Sequence, residues 1–445
     1  MKVLVVGSGG REHAIAWALA KSPDVTEVIC VPGNGGTTAE KKCRTIDPKE
    51  YISTEHMSFN DAVSVIATEE RCDFVVVGPE DPLAQGLADV LWKAGIPVVG
   101  PKSQGAILEA SKDFSKEFMQ KYRVACGYSK SFTSTAEALS YLHEKGAPIV
   151  IKADGLAAGK GVVVAATVKE AEEAIINFMD KKTLGTAGTK ILLEEYLQGV
   201  EISVLAAVSV TPQHPEKATI VPFVTARDHK RLLDGAKGPN TGGMGAVAPV
   251  SAVTADMMEA FQKDILVPTL KGLIAEKMDY RGFIFFGLML TSTGPKLLEY
   301  NVRLGDPETQ AVLPLMDFDF SKLCRAIIDE ELQNFTCTWK PGFVCAPVAV
   351  SGGYPGEYHK GYTISLPLQT RETEKIFIAG AQLDRRNEQL PLITSGGRVL
   401  ATAAYGETFQ EAWEKAYKLM EKVHFESMFY RKDIGLPGAA ESGQL

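Results

Sequence analysis

The stretch LLEYNVR, residues 297–303, places three polar side chains at alternate positions of an otherwise apolar strand. Residues two apart on a strand share a face, so Glu299, Asn301 and Arg303 line one side of it. The intervening side chains are predicted to pack inward: Leu298, Tyr300 and Val302. A carboxylate and an amide oxygen at this spacing suit Mg²⁺, which takes one or two protein oxygens beside substrate phosphates. Arg303 is then placed to hold a phosphate or carboxylate in bidentate fashion.

The alternative for this strand is an edge position with one wet face. The residues that follow it, GDPETQ at 305–310, argue against that alternative. Gly305 turns the chain, and Asp306 is predicted to cap a helix that begins at Pro307. A polar strand face, a turn and a capped helix in succession favour a functional site over an edge strand with one solvent-exposed face.

A glycine-rich turn, GSGGRE at residues 7–12, stands between a predicted strand and a predicted helix. Backbone amides at such a turn can approach a phosphate, and the helix dipole favours an anion there. A dinucleotide fingerprint would need glycine in place of Glu12 and an acid where Pro32 and Gly33 stand. Phosphate or sugar binding and a purely structural turn are therefore left open, and NAD binding is disfavoured.

A second glycine-rich stretch, IKADGLAAGKGVVV at residues 151–164, is predicted to be a hairpin whose amides close over phosphates. Its glycines are Gly155, Gly159 and Gly161. It is not a Walker loop, because the spacing and the final hydroxyl residue differ. The alternative is an ordinary hairpin with solvated lysines, Lys152 and Lys160. Lys152 argues against it, since it interrupts an apolar strand and an unpaired buried ammonium is costly.

An acidic stretch, LLEEYLQGVEIS at residues 192–203, ends one strand and begins the next. Glu194 and Glu195 with the following turn could face a purine base, and Glu201 could accept ribose hydroxyls. Solvated acidic turns between strands are common, so this stretch alone decides nothing.

The polar loop, residues 228–245, reads DHKRLLDGAKGPNTGGMG and combines four successive ionisable residues with five glycines. Charge and mobility together suit contacts with phosphoryl or carboxylate groups during transfer. A catalytic pair of Asp228 and His229 is disfavoured, because adjacent residues seldom aim both side chains at one reacting atom.

The elements that position these stretches follow an α/β order and then an α+β order. Short apolar strands and helices alternate at the start of the chain, which predicts a doubly wound parallel sheet. Near the end, Thr408 with Glu411 three residues on predicts a capping box at the start of a last helix. The predicted units are an N-terminal α/β domain (1–102), a core (103–335) with a lid subdomain (about 125–193), and a small β-rich C-terminal domain (336–445).

Composition limits the classes of protein that remain. The chain of 445 residues has a formal net charge of -8, which argues against bulk nucleic-acid binding. The seven cysteines are scattered without a CxxC pair, as expected in a reducing cytosol. No apolar run is long enough to span a membrane, and MKVLVVGSGG contains no charged leader before an apolar segment, so no secretory signal is expected.

Ten stretches together resemble the phosphoribosylamine-glycine ligase family of the ATP-grasp superfamily, in that family's order. They are VVGSGGREHAIAWALA, VPGNGGT, VVGPEDPLAQGLAD, SKDFSKEFM, IKADGLAAGKGVVV, DHKRLLDG, GPNTGGMGA, LEYNVRLGDPETQ, SGGYPG and TSGGRVLA. The resemblance covers nearly the whole chain. It implies an N-terminal substrate domain, an ATP-grasp core with a mobile lid, and a small C-terminal domain.

The resemblance also implies a reaction and its cofactors. Glycine's carboxylate would attack the γ-phosphate of ATP, and the amine of 5-phosphoribosylamine would then displace phosphate to give glycinamide ribonucleotide. ATP and Mg²⁺, or Mn²⁺, are the implied cofactors. We expect a cytoplasmic monomer or dimer without nucleic-acid or membrane partners.

The implied site falls into four groups of residues. The ATP site comprises Lys112, Lys152, Gly159, Lys160, Gly161, Glu194, Glu195, Tyr196, Leu197 and Glu201. The metal ligands are Glu299 and Asn301. The substrate site comprises Gly9, Gly10, Arg11, Glu80 and Asp306. The residues nearest the transferred group are Asp228, Lys230 and Arg303.

Three features depart from related patterns. The family often has an acid in place of Ala236 and a histidine in place of Ile378, and FFGLML offers no third acidic metal ligand. Two alternatives to the ligase remain: a related ATP-grasp ligase or carboxylase, and a nucleotide-binding module without catalysis. The first lacks the DHKR and GPNTGGMG sequences, and the second predicts lost lysines or metal ligands, all of which are present here.

Overall fold

A five-stranded sheet forms the N-terminal part of the computed structural model, which describes residues 1–52, 57–155 and 161–437. Its strands are β1 (Lys2–Gly7), β2 (Glu27–Pro32), β3 (Cys43–Thr45), β4 (Phe74–Val77) and β5 (Val98–Val99). All neighbours are parallel, in the order β3-β2-β1-β4-β5, which confirms the predicted parallel sheet. The order reverses between β1 and β4, so the turns after these two strands open together at the edge where such sheets bind ligands.

Four helices cover this sheet: α1 (Gly10–Ala20), α2 (Phe59–Glu69), α3 (Glu80–Ala84) and α4 (Leu87–Lys93). Gly86 adopts a left-handed conformation (φ 82°) and separates α3 from α4. Glycine takes this conformation without the steric cost that a Cβ would add.

The predicted lid is a small antiparallel sheet with its own apolar core. Helices α5 (Ser103–Ala110) and α6 (Lys112–Lys121) lead into it, and Ser111 caps α6 by accepting the amide of Phe114. The lid elements are β6 (Ser129–Phe132), α7 (Thr135–Lys145), β7 (Ile149–Ala153), β8 (Val162–Ala165), α8 (Val168–Met179) and β9 (Ile191–Glu195). The strands lie in the order β6-β9-β7-β8.

An eight-stranded sheet forms the centre of the molecule, in the order β16-β15-β10-β11-β14-β17-β21-β18. Its strands are β10 (Val200–Val210), β11 (Thr219–Asp228), β14 (Gly245–Ala248), β15 (Tyr280–Thr291), β16 (Gly294–Asn301), β17 (Phe343–Val350), β18 (Glu374–Ile378) and β21 (Arg398–Gly406). Because β14 pairs with β17, the sheet continues across the predicted boundary at residue 336.

The remaining elements are short. They are the hairpin β12 (Arg231–Leu233) and β13 (Lys237–Asn240), the pair β19 (Ala381–Leu383) and β20 (Leu392–Thr394), and the helices α9 (Ala255–Phe261), α10 (Val267–Ala275), α11 (Glu308–Val312), α12 (Phe320–Ile328) and α13 (Phe409–Met420). A π-helical turn, Gln262–Leu266, joins α9 to α10.

The last helix begins where the sequence predicted, after Thr408. The Thr408 hydroxyl accepts the amide of Glu411 at 3.2 Å. The Glu411 carboxylate accepts the amide of Glu407 at 2.8 Å rather than that of Thr408. Half of the predicted capping box is therefore present, and the other half is displaced by one residue.

A β-bulge changes the predicted register of the LLEYNVR strand. Gly287 pairs with Glu299, but the next residue of β15, Leu288, pairs with Leu297, so Leu298 is the extra residue. Leu297 is consequently 0% exposed in the core, whereas Leu298 lines a cleft with Glu299. The prediction that Leu298 packs inward is wrong, and the predictions for Tyr300 and Val302 are confirmed.

Within the part of the chain that the structure describes, no helix has both the length and the apolar character that crossing a membrane requires.

The bulge predicts unequal effects for two adjacent leucines. Leu297→Ala should lower the free energy of unfolding by about 2–5 kcal/mol, because it leaves a cavity in the core. Leu298→Ala, the matched control, should cost about 1 kcal/mol or less. Urea denaturation followed by circular dichroism measures both values. Equal losses in the two variants would contradict the bulged register.

Candidate active site

A cleft of about 800 Å³ opens between the N-terminal sheet, the lid and the eight-stranded sheet. Most residues predicted for the site line it: Arg11, Glu80, Lys112, Lys152, Gly161, Glu194, Glu195, Tyr196, Leu197, Glu201, Asp228, Lys230, Glu299, Asn301, Arg303 and Asp306. Gly9 and Gly10 lie in the turn beside it. Gly159 and Lys160 lie outside the described residues. The structure therefore gathers the predicted residues in one place, while their individual roles stay predictions.

Two buried lysines share one carboxylate at the lid end of the cleft. Lys152 on β7 and Lys116 on α6 each place their Nζ 3.0 Å from Glu194 Oε2. Burial acts to lower the pKa of Lys152, but the charges of Glu194 and Glu299 outweigh it and raise that pKa. The prediction that Lys152 is not a solvated lysine is thus confirmed.

The second oxygen of Glu194, a residue that lines the cleft, has no hydrogen-bond donor among the described residues. Glu194 Oε1 is buried and accepts no hydrogen bond from the described residues. Glu195, next along the chain, accepts the amide of Tyr128 at 3.1 Å. A buried acceptor without a donor costs free energy, so a ligand that donates to Glu194 would stabilise this end of the cleft.

Lys112 begins α6 and reaches the end of the glycine-rich hairpin, where its Nζ donates to the carbonyl of Gly155 at 2.9 Å. Burial lowers the pKa of Lys112. With Lys230 and Lys152 it also faces Glu299: burial acts to raise the pKa of Glu299, but these cations keep it below its usual range. Glu299 is therefore ionised and ready to serve as a hard oxygen ligand.

Two oxygen donors on β16 fit a metal ion that is bound together with phosphates. Asn301 Oδ1 lies 3.2 Å from Arg303 Nη2. Glu299 precedes Asn301 by two residues on the same strand, and both residues line the cleft. Gly287 faces Glu299 in the register, so β15 supplies no third ligand there. Across the described ranges, no cluster of three or more His, Cys, Asp or Glu side chains could hold a metal. This donor set suits a divalent cation that keeps waters and takes substrate phosphates as further ligands.

Arg303 joins three elements of the fold. Its Nε lies 3.1 Å from Glu80 Oε2, at the start of α3, and its Nη2 lies 2.8 Å from Glu109 Oε1, on α5. These carboxylates raise the pKa of Arg303 despite its burial. Burial raises the pKa of Glu109 to about 6, although Arg303 opposes the shift. Sequence reasoning missed Glu109, which carries no motif.

The turn after β1 is closed by Glu12. The carboxylate of Glu12 accepts the amide of Gly9 at 2.6 Å and the Nε of Arg11 at 2.5 Å. Arg11 in turn donates from Nη1 to the carbonyl of Leu304 at 3.2 Å. The residue that breaks the dinucleotide fingerprint thus takes an amide that a bound pyrophosphate would need.

Asp306 does not cap a helix, so that prediction is wrong. Helix α11 starts at Glu308 without a side-chain cap, and Asp306 Oδ1 instead accepts from Gln310 Nε2 at 2.8 Å. Arg398 Nη1 lies 3.5 Å from the same Asp306 oxygen, and both side chains line the cleft. The Asp306 carboxylate also lies beside Gly9, where an added Cβ would come within 3.2 Å of Asp306 Oδ2.

A second set of charges lies at the polar loop. Lys230 forms an ion pair with Glu201. Asp228 Oδ1 is buried and accepts no hydrogen bond from the described residues, while Glu308 Oε1 accepts from Ser203 Oγ at 2.9 Å. Burial and the nearby charge of Glu308 raise the pKa of Asp228 well above its usual range, and burial also raises the pKa of Glu308. Two carboxylates at this point favour a cation or a shared proton.

His229 does not line the cleft, in agreement with the prediction that it forms no catalytic pair with Asp228. Its Nδ1 donates to the carbonyl of Gly245 at 3.3 Å, and its Nε2 accepts the amide of Gly435 at 3.1 Å. Burial lowers the pKa of His229 to about 3, so the ring is neutral.

The charged and polar cleft residues that sequence reasoning missed include Glu109, Lys116, Glu308, Tyr354 and Arg398. Lys116 had a signal, because it stands four residues after Lys112 and shares its helix face. The sequence signal for Glu308 was weaker: it stands two residues after Asp306 in the GDPETQ stretch. Tyr354 and Arg398 come from the C-terminal part of the chain, and only the tertiary structure brings them to the cleft.

The fold and the cleft define the ATP-grasp class: a parallel N-terminal sheet, a small antiparallel lid and a large sheet enclose buried lysines and paired oxygen ligands. Three family models match the chain in succession. They are described as Phosphoribosylglycinamide synthetase N domain (residues 1–109), ATP-grasp (A) domain (residues 110–309) and C domain (residues 344–437). The chain therefore belongs to the phosphoribosylglycinamide synthetase family.

Curated relatives agree over nearly their full length. The chain is 47% identical to phosphoribosylamine–glycine ligase of Clostridium acetobutylicum over 435 residues, which cover 98% of this chain and 99% of that protein. It is 43% identical to the ligase of Escherichia coli K12 over 437 residues, which cover 98% of both chains.

Solved structures agree on the fold. The crystal structure of phosphoribosylamine–glycine ligase from Thermotoga maritima matches with a TM-score of 0.79 and 34% identity, covering 98% of this chain and 100% of that one. The biotin carboxylase domain of Hydrogenobacter thermophilus 2-oxoglutarate carboxylase matches with a TM-score of 0.71, 14% identity, and coverage of 96% and 91%. At that identity the second match shows a shared fold alone.

The neutral His229 predicts an acid-dependent loss of stability. Between pH 6.5 and about 3 the unfolded chain protonates this residue while the folded chain does not, so wild-type stability should fall by about 1.4 kcal/mol per pH unit from this group. His229→Gln cannot titrate, so its deficit in free energy of unfolding should shrink at that rate below pH 6.5 and stay constant above pH 7.5. Urea denaturation across pH 5–8 tests this. A deficit that is constant throughout would contradict the neutral, buried ring.

Proposed function

We propose that this chain ligates glycine to 5-phosphoribosylamine with ATP, through glycyl phosphate, to give glycinamide ribonucleotide, ADP and phosphate in purine biosynthesis. The observation that carries the proposal is the cleft itself, which combines buried lysines, paired oxygen ligands and an acidic pair within one enclosure. The relatives named above are phosphoribosylamine–glycine ligases that align with this chain from end to end.

The lid end of the cleft is the proposed nucleotide site. Lys112 and Lys152 supply positive charge for the phosphates of ATP, and Lys116 holds Glu194 in place beside them. Glu194 to Leu197 form the rim for the adenine, and Glu201 accepts from the ribose. Because Glu201 is paired with Lys230 in the structure, ribose binding would compete for the carboxylate that restrains this lysine.

Glu299 and Asn301 are the proposed ligands of a divalent metal that accompanies ATP. When bound, the metal neutralises charge on the phosphates and orients them for transfer. We propose Mg²⁺ or Mn²⁺, because two hard oxygen donors without a nitrogen ligand suit either ion. Arg303, held by Glu80 and Glu109, then faces the group that is transferred.

Asp228 and Glu308 are proposed to hold the ammonium of glycine. ATP and phosphoribosylamine both bring negative charge, and only glycine brings a full positive charge to be bound by two acids. Asp228 has an oxygen that lacks a donor, which an ammonium would supply. Its neighbour Lys230 would meanwhile stabilise the carboxylate and phosphate as they react.

The turn after β1 and the start of α3 are proposed to bind phosphoribosylamine. The turn of Gly9, Gly10 and Arg11 would approach the phosphate at the N-terminus of α1, with the guanidinium of Arg11 as its counter-charge, while Glu12 keeps the Gly9 amide. Glu80 and Asp306 would accept from the hydroxyls or the amine. Closure of the lid would then keep water from the acyl phosphate, which is the reason to enclose this reaction. The enzyme is proposed to act as a cytoplasmic monomer.

A coupled assay tests the function directly. ADP release with ATP and Mg²⁺ should require both glycine and phosphoribosylamine, and alanine should not replace glycine. Glycinamide ribonucleotide should form in equal amount to ADP, as measured by mass spectrometry. Release that proceeds without the amine, or with bicarbonate instead of glycine, would refute the specific activity and leave the ATP-grasp fold intact.

A single substitution tests the metal site. Glu299→Gln should lower kcat by more than about 100-fold, since several kcal/mol of charge stabilisation are lost with the metal. Its melting temperature should stay near the wild-type value. Glu388→Gln removes the same charge from an exposed loop and should leave kcat unchanged. Near-normal turnover in the Glu299 variant would rule out its role as a metal ligand.

A further inference from the structure

Residues 431–435 run along the polar loop and hold it by a series of hydrogen bonds. Arg431 Nη1 donates to the carbonyl of Arg231 at 3.0 Å, and the amide of Lys432 donates to Asp234 Oδ1 at 2.8 Å. In the other direction, the amide of Gly235 donates to Asp433 Oδ2 at 2.7 Å. The amide of Gly435 donates to His229 Nε2 at 3.1 Å. These bonds grip the β12 end of the loop from His229 to Gly235.

The gripping segment is itself fixed in the C-terminal core. Arg431 is 0% exposed, and its Nε and Nη2 lie 2.8 and 3.0 Å from the two oxygens of Asp433. Tyr417 on α13 donates to the carbonyl of Arg431 at 2.7 Å and accepts the amide of Ile434 at 3.2 Å. Ile434 is fully buried beside Met244 and Val247. The segment is therefore a rigid support.

The exposed tip of the polar loop has little apolar packing of its own. The loop contains five glycines, and residues 233–240 are almost entirely exposed, so few apolar contacts restrain the tip. Hydrogen bonds within the loop define its hairpin: β12 pairs with β13, the amide and hydroxyl of Thr241 donate to the carbonyl of Lys230, and the amide of Met244 donates to the carbonyl of His229. Residues 431–435 add bonds from outside the loop that fix this hairpin against the C-terminal core.

The other end of the loop is held separately. Tyr354 Oη accepts the amide of Gly242 at 2.9 Å, and Arg398 Nη1 donates to the carbonyl of Gly242 at 2.6 Å. Both side chains line the cleft, so they belong to the site already described. The end that carries Asp228 and Lys230 is held by the pairing of β11 with β14 and, in addition, by residues 431–435, which do not line the cleft.

We propose that residues 431–435 position the polar loop for the reaction, and that Arg431 is the central positioning residue. Its side chain contacts the loop backbone at Arg231 and the carboxylate of Asp433 and does not itself line the cleft, so it acts through the loop residues Asp228 and Lys230. The effect on catalysis rests on the roles proposed above for those two residues, whereas the effect on the loop does not.

Arg431→Met tests the proposal with two readouts. The variant should lower kcat at least tenfold and leave the Kd for ATP within twofold, because the lysines at the lid end are held by Glu194. It should also raise the rate of tryptic cleavage after Lys237 at least tenfold, as measured by mass spectrometry on the folded protein. Arg431→Lys should restore part of both values.

Lys432→Met is the matched control, since it removes a positive charge from the same segment but its side chain is exposed. It should behave as wild type in both assays. If Arg431→Met does not fold, Asp234→Ala removes the exposed acceptor of the Lys432 amide and should still speed cleavage at least threefold. Wild-type cleavage and turnover in a folded Arg431→Met, or wild-type cleavage in Asp234→Ala, would overturn the proposal. A failed ligation assay with accelerated cleavage would count against the proposed function alone.

Discussion

The charges buried in the cleft must neutralise one another, and this requirement holds the three parts of the molecule together. Four of the cations find their counter-charges on other elements of the fold: Lys116 and Lys152 at Glu194, Lys230 at Glu201, and Arg303 at Glu80 and Glu109. Removing one partner of a buried pair costs far more than an exposed pair contributes. The cleft is therefore a cavity whose ion pairs also connect the parts of the fold.

These ion pairs also prepare the site for highly charged ligands. Because Lys116, Lys152, Lys230 and Arg303 already have carboxylate partners, a phosphate or ribose that binds one of them does so by exchange. Two carboxylate oxygens of the cleft, Glu194 Oε1 and Asp228 Oδ1, lack donors among the described residues. The first belongs to the proposed adenine site and the second to the proposed glycine site. A ligand that donates at each point relieves a cost that the protein alone bears.

Much of this arrangement could be predicted from the sequence, and the failures have physical causes. The parallel sheet, the buried Lys152 and the polar face of Glu299 and Asn301 follow from local patterns whose period or cost is set within a few residues. Tyr354 and Arg398 could not be found this way, because their approach to the cleft depends on β17 and β21 joining the central sheet. Glu109 was missed for a related reason: a helix acid becomes a site residue only when Arg303 reaches it.

The bulge in β16 shows how one residue sets the chemistry of the opening stretch. A strict two-residue period would give Leu297 and Glu299 the same face, which cannot be both core and cleft. Inserting Leu298 as an unpaired residue lets Leu297 stay buried while Glu299 turns to the cleft opposite Gly287. The small residue at 287 leaves room for that carboxylate, since a Cβ there would lie 3.2 Å from Glu299 Cγ. The bulge in β16 and the glycine on β15 therefore act together. Gly287 leaves space for the Glu299 carboxylate, and β15 for that reason contributes no acidic metal ligand of its own at this position.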